Sequence, residues 1–160
     1  MISTYKEYLE IALHDNQIEK IGCNTKELFF VALTFFFTHS HFQVYWFIEN
    51  EQLMEDITDE CLDSIDNYLK YNGKLSIYVN KNYTYPGKLR EFLKEHNCEN
   101  LHMFKYGSSL HSIKGNICDF IIFDDKHSIV QYDPYKFLGT ISLYDTCVAD
   151  ELKKITNGKE

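Results

Sequence analysis

The chain has 160 residues, 44% of them hydrophobic and 16% aromatic, with seven glycines and two prolines. That composition excludes a disordered or fibrous protein and describes one domain, whose core should take in roughly 70% of the surface the unfolded chain exposes. The formal charge is −8 and Arg90 is the single arginine, so the chain lacks the basic stripe that phosphate backbones meet, and nucleic acid is not the expected partner.

In chain order, Thr4 and Glu7 read as a capping box ahead of "YLEIAL", with Tyr8, Leu9, Ala12 and Leu13 at helical spacing and an end by Asn16. Residues 1–22 are expected to be a helix and connector, and 23–156 the core of a single domain spanning 1–160. Asn24 with Glu27 repeats the capping signature. The following "TKELFFVALTFFFTHS" is apolar almost all round, as a helix enclosed in the interior would be. Its most apolar stretch, Leu28 to Phe37, is far shorter than the ~20 residues that cross a bilayer, so no membrane span is expected. "FQVYWFI" reads as a strand buried on both faces. From Gln52 to Tyr71, the positions Leu53, Ile57, Cys61, Ile65, Tyr68 and Leu69 form one stripe of an amphipathic helix stopped by Asn72 and Gly73. "KLSIYVN" and "NLHMFKY" are further strands, separated by a helix that Pro86 opens. "CDFIIFD" and "SIVQYD" flank Asp124–Lys126 as a hairpin, "LGTISL" is a last strand, and a helix covers Asp145 to Ile155. Alternating helices and strands imply right-handed crossovers: an α/β protein, three-layer α/β/α, with a mixed, mostly parallel sheet and one antiparallel excursion.

This order, with "LHSIKGNICDFIIFDD" in its second half, resembles one half of a phospholipase D-like domain over roughly residues 28–156. Active members of that family carry a His-x-Lys-x4-Asp motif on the corresponding strand and a Gly-Ser-x-Asn segment one strand later. His and Lys, two apart on an extended chain, face one phosphate; the imidazole attacks phosphorus and the ammonium stabilises charge on the oxygens. With Asp124 as the strand-end Asp, Ile117 takes the His position and Asp119 the Lys position. That register leaves no nucleophile and puts a carboxylate where an anion would bind. The alternative register matches Lys114 and Asp119, but His111 lies three residues from Lys114, so a regular strand would turn the two to opposite faces. Gly139, Thr140 and Ser142 echo the Gly-Ser-x-Asn segment. The resemblance implies a decayed active site and, because single-copy members pair across a twofold axis, a homodimer.

The candidate catalytic set is therefore the residual His111, Lys114, Asp119 and Asp124, with no intact constellation. Tyr83 and Tyr85, at the carboxyl end of the "KLSIYVN" strand, are candidate ligand-binding residues because open α/β sheets bind ligands there, and His111 with Lys114 is the candidate anion site, on a loop. Clustered Asp119, Asp124 and Asp125 are of a chemistry that suits a divalent cation, but turn chemistry explains them without one. His39 with His41 lacks a third ligand at convincing spacing, and His96 and His102 with Cys98 lack a second Cys pair, so no metal or other cofactor is expected. The five widely spaced cysteines, without a Cys-x-x-Cys pair or a secretory leader, read as reduced and cytoplasmic. The leading functional expectation is a non-catalytic domain that binds a protein or small ligand in regulation or in bacterial or phage defence. One alternative is a divergent phosphodiesterase or nuclease using His111 and Lys114 across a dimer. Another is an acidic module that docks a basic protein through the helix carrying Asp56, Asp59, Glu60, Asp63 and Asp66.

Overall fold

The structure, a computed structural model, describes residues 2–49, 53–80, 87–96, 98–106, 112–113, 116–117 and 119–156. The elements are α1 (Ile2–Asp15), β1 (Glu19–Cys23), α2 (Lys26–His39), β2 (Gln43–Ile48), α3 (Leu53–Asp56), α4 (Asp59–Lys70), β3 (Lys74–Asn80), α5 (Lys88–Glu95), β4 (Leu101–Tyr106), β5 (Ser112–Ile113), β6 (Asn116–Ile117), β7 (Asp119–Phe123), β8 (His127–Asp133), β9 (Leu138–Leu143) and α6 (Thr146–Thr156). Local chemistry explains several of their ends. Thr25, one residue later than expected, caps α2 by accepting the Leu28 amide at 3.1 Å, and Thr58 does the same for Cys61 at 3.2 Å on α4. The long amphipathic stretch thus breaks into α3 and α4 around Ile57, and Asn72, at φ 70°, ends it as expected. Thr4 lies inside α1, which begins two residues earlier, so it does not cap that helix.

Seven strands form one sheet in the order β1-β9-β8-β7-β2-β3-β4. Only β2/β3 and β3/β4 pair in parallel; β1/β9, β8/β9, β7/β8 and β2/β7 are antiparallel. The expectation of a mostly parallel sheet is therefore corrected: antiparallel pairings outnumber parallel ones because β7, β8 and β9 follow one another through short turns and because β2 and β1 take β7 and β9 as antiparallel neighbours. The segment taken as a connector, Glu19–Cys23, is strand β1, which pairs with β9 at the sheet's edge and buries only Ile21 and Cys23. β5 and β6 pair antiparallel as a separate two-stranded sheet.

The layers are unequal. On one face α1, α2, α4 and α5 cover a large core that includes Phe36, Phe37, Trp46, Ile121 and Phe123. α2 packs between α1 and α4, which explains why its sequence is apolar nearly all round. On the other face Ala149 and Leu152 of α6 lie against a smaller cluster. There Phe120, Phe47, Tyr78 and Phe104, in register across β7, β2, β3 and β4, form a row of stacked rings with centroids 5.1, 6.2 and 5.0 Å apart.

Candidate functional site

Strand β7 carries an aspartate at each end. After its last residue the chain turns through Asp124 and Asp125, both left-handed at φ 53° and 58°, a conformation that Asp tolerates better than most residues. The Asp124 carboxylate accepts the amides of His41, Phe42 and Gln43 at 2.9, 2.8 and 3.0 Å, and its own amide donates to the Gln43 carbonyl at 2.7 Å. Asp124 is thus a staple that holds the α2–β2 connection against the β7–β8 turn.

The other end lies at the carboxyl edge of β2, β3 and β4, where the antiparallel β7 joins the parallel strands and where ligands of open α/β sheets bind. Asp119 is fully buried and accepts the backbone amide of Glu49, the residue that follows β2. The Glu49 carboxylate takes the hydroxyl of Tyr106, from the end of β4, which also reaches the Ile48 carbonyl at 3.3 Å. Burial raises the Glu49 carboxyl above its ordinary range, with the Tyr106 hydroxyl offsetting part of this. Tyr106 is raised in turn, first by burial and then by the neighbouring Glu49, Asp119 and Tyr135, so its proton stays in place at any ordinary pH. Gln131 stands directly across from Asp119 on β8, fully buried, with neither amide atom finding a hydrogen-bond partner among the described residues. Gly139 is its next neighbour on β9; a Cβ there would come within 2.5 Å of the Val130 carbonyl and 3.3 Å of the Gln131 side chain. The close approach requires glycine.

Two carboxylates and a phenol therefore occupy this edge, an environment that favours hydrogen-bond donors and disfavours phosphate. Asp119 and Asp124 are not brought together as a cation site, since they serve opposite ends of one strand. Ile117 and Asp119, expected two apart on one strand, belong to different sheets: Ile117 pairs with Ser112 in the two-stranded sheet, Asp119 with Gln131. Gly139, Thr140 and Ser142 all lie on β9, and of these Gly139 borders the cluster. Tyr83, Tyr85, His111 and Lys114 lie outside the described residues.

Elsewhere, burial depresses His39, and His96 is held by Asp66 at 2.8 Å and the Phe92 carbonyl at 2.7 Å. Among the described residues no group of three or more His, Cys, Asp or Glu could hold a metal, and no helix is long and apolar enough to cross a membrane. The acidic helix is partly neutralised within the chain: Asp56 pairs with Lys26, Asp59 with Lys88, and Asp66 with Lys70 and His96. Sequence reasoning missed Glu49, Tyr106 and Gln131. The available signal for the first two was position, a polar residue at the carboxyl end of an apolar strand.

No family model matches the chain and no curated protein matches it in sequence; solved structures do match. Nuc from Salmonella typhimurium, a phospholipase D family member, superposes with a TM-score of 0.65 at 6% identity, over 89% of this chain and 94% of that one. NucT from Helicobacter pylori gives 0.61 at 11% identity over the same shares. The fold is phospholipase D-like. The archaeal chromatin protein TrmBL2, whose structure shows a novel mode of DNA binding, also matches, at 0.58 and 12% identity over 98% of this chain; the chain spans 58% of TrmBL2's length. In this phospholipase D-like fold, Asp119 opens the strand on which the sequence resemblance sets the family's lysine.

Proposed function

We propose that this chain is a non-catalytic phospholipase D-like domain that acts by binding a protein or a small ligand. The observation that supports this most is Asp119. It stands where the resemblance calls for a lysine, is fully buried, and accepts the Glu49 amide. A buried carboxylate beside Glu49 and Tyr106 raises the energy of a phosphodiester and of the pentacovalent state formed from it, opposite to what the lysine would do. Ile117 offers no nucleophile in the paired position. Binding residues on this reading are Tyr83, Tyr85, His111 and Lys114, and the domain works in the cytoplasm as a homodimer, the pairing that the resemblance to single-copy members implies.

The test is hydrolysis of bis-p-nitrophenyl phosphate by the wild type and by His111→Ala. Both should match buffer alone. Turnover that disappears in His111→Ala would establish a phosphodiesterase in place of a binding domain. Light scattering on the same sample should give twice the 19.0 kDa chain mass; a monomer at micromolar concentration would remove the dimer.

A further inference from the structure

A groove of about 860 Å³ runs along the outer side of α2, walled by α1 and by the segment that leads into α4. Its floor is Phe30, Val31, Thr34, Phe35 and Thr38. With Glu27 these recur as i, i+3, i+4, i+7, i+8 and i+11, one face of the helix along nearly its whole 14 residues, roughly 20 Å. The floor is more apolar than its composition suggests. Thr34 and Thr38 donate their hydroxyls to the Phe30 and Thr34 carbonyls at 2.8 and 2.7 Å, so within the helix their hydrogen-bonding needs are met and their methyl groups remain for contact.

The rim is acidic. Glu10, Glu27, Asp56, Asp59 and Glu60 line the opening together with Lys6, Lys26 and His39, and Lys88 reaches Asp59 from outside it. Asp56 and Asp59 have lysine partners, whereas Glu10 on α1, Glu27 on α2 and Glu60 on α4 make no ion pair among the described residues. A trough bounded by α1 and by the segment that leads into α4, with an apolar floor at helical spacing and carboxylates on both sides, matches the helix-in-groove mode of recognition.

We propose that this groove binds an amphipathic helix from a partner protein, about 12–14 residues long, with an apolar stripe toward α2 and lysines or arginines on both flanks. The surface lies on the opposite side of the sheet from the face that α6 covers, and the proposal does not depend on the loss of chemistry at Asp119. The charge of −8 on the whole chain would speed the encounter, and the groove would supply the selectivity.

The experiment uses fluorescence anisotropy with a labelled 14-residue designed helix, leucines at i, i+3, i+4, i+7, i+8 and i+11 and lysines beside them, and a scrambled peptide of the same composition. The designed helix should bind saturably and more tightly than the scrambled one. Val31→Trp, or Thr38→Trp at an exposed position that folding tolerates, should weaken it by at least ~10-fold by filling the floor. Joint reversal of Glu10, Glu27 and Glu60 to lysine should weaken it further at low salt, while Asp150→Lys with Glu151→Lys on α6 should leave it within about twofold. Equal binding of both peptides, no binding, full retention in folded Val31→Trp and Thr38→Trp, or equal loss from the α6 reversals would overturn the proposal. Self-association that Thr38→Trp abolishes would assign the groove to a second copy of this chain instead.

Discussion

The two aspartates of β7 sit four residues of strand apart and bracket β2, one at each end. Asp124 holds three amides at the start of β2; Asp119 accepts the Glu49 amide just past its end. Yet the first is half-buried in a turn whose geometry suits aspartate, and the second is fully enclosed beside another carboxyl and a phenol. A carboxylate that gathers several amides is a structural device. One packed against like-charged company costs stability unless its surroundings are built for it, and such sites cluster where proteins bind or react.

The largest expected effect breaks the stapled end. Asp124→Ala should cost about 3 kcal/mol in urea unfolding, since three amides lose a charged acceptor, and Asp124→Asn about half of that. Next comes acid. His127, in the same turn region, accepts the Tyr144 amide at 3.1 Å through Nδ1 and burial pushes its pKa down to about 4. The unfolded chain therefore binds a proton that the folded chain refuses between roughly pH 6.5 and 4, and stability should fall by up to about 3 kcal/mol as pH drops through that window. His127→Gln should flatten the slope measured by chemical denaturation at pH 7, 5.5 and 4.5.

The Asp119 end has the opposite sign. Because the Glu49 carboxyl is raised, folding takes up a proton as pH falls through the range above its ordinary value, and this contribution is lost as pH rises through the raised value. Glu49→Gln, which can still accept the Tyr106 hydroxyl, should gain stability at pH 7 and remove that rise toward acid. A loss at pH 7 would mean that the charge is stabilised where it stands. The smallest effect lies on the surface. Asp66, held below the usual carboxylate range by hydrogen bonds from Lys70 and His96, is a solvated pair member, and Asp66→Asn should leave the unfolding midpoint unchanged within error.

Much of this architecture was legible because the apolar runs were long and bounded by strong punctuation. "KLSIYVN" became β3 residue for residue, and the turn around Asp124–Lys126 fell where three polar residues separate two β-branched runs. Strand β1 was not legible: "EKIGC" buries two side chains at an edge and takes its definition from β9, a partner about 120 residues away. The direction of the sheet was misread for a related reason, since strand spacing shows that strands exist and not which neighbour each will take. Asp119 was visible as the wrong residue for an anion site. Its company was not, because Glu49, Tyr106 and Gln131 come from three other strands that only the fold gathers at one edge.

Trp46, the single tryptophan of the chain, is fully enclosed near the middle of β2, its ring centroid 6.0 Å from that of Phe37 on the side of α2. The stacked row of Phe120, Phe47, Tyr78 and Phe104 lies on the reverse side of the same sheet. The molecule thus carries optical reporters on both sides: emission from Trp46 follows the helical layer, and near-ultraviolet dichroism, to which the ring row contributes with the other aromatic residues, follows the packing of the whole. Unfolding curves from the two signals should coincide if the layers melt as one unit, and should separate if the thinly covered side opens first.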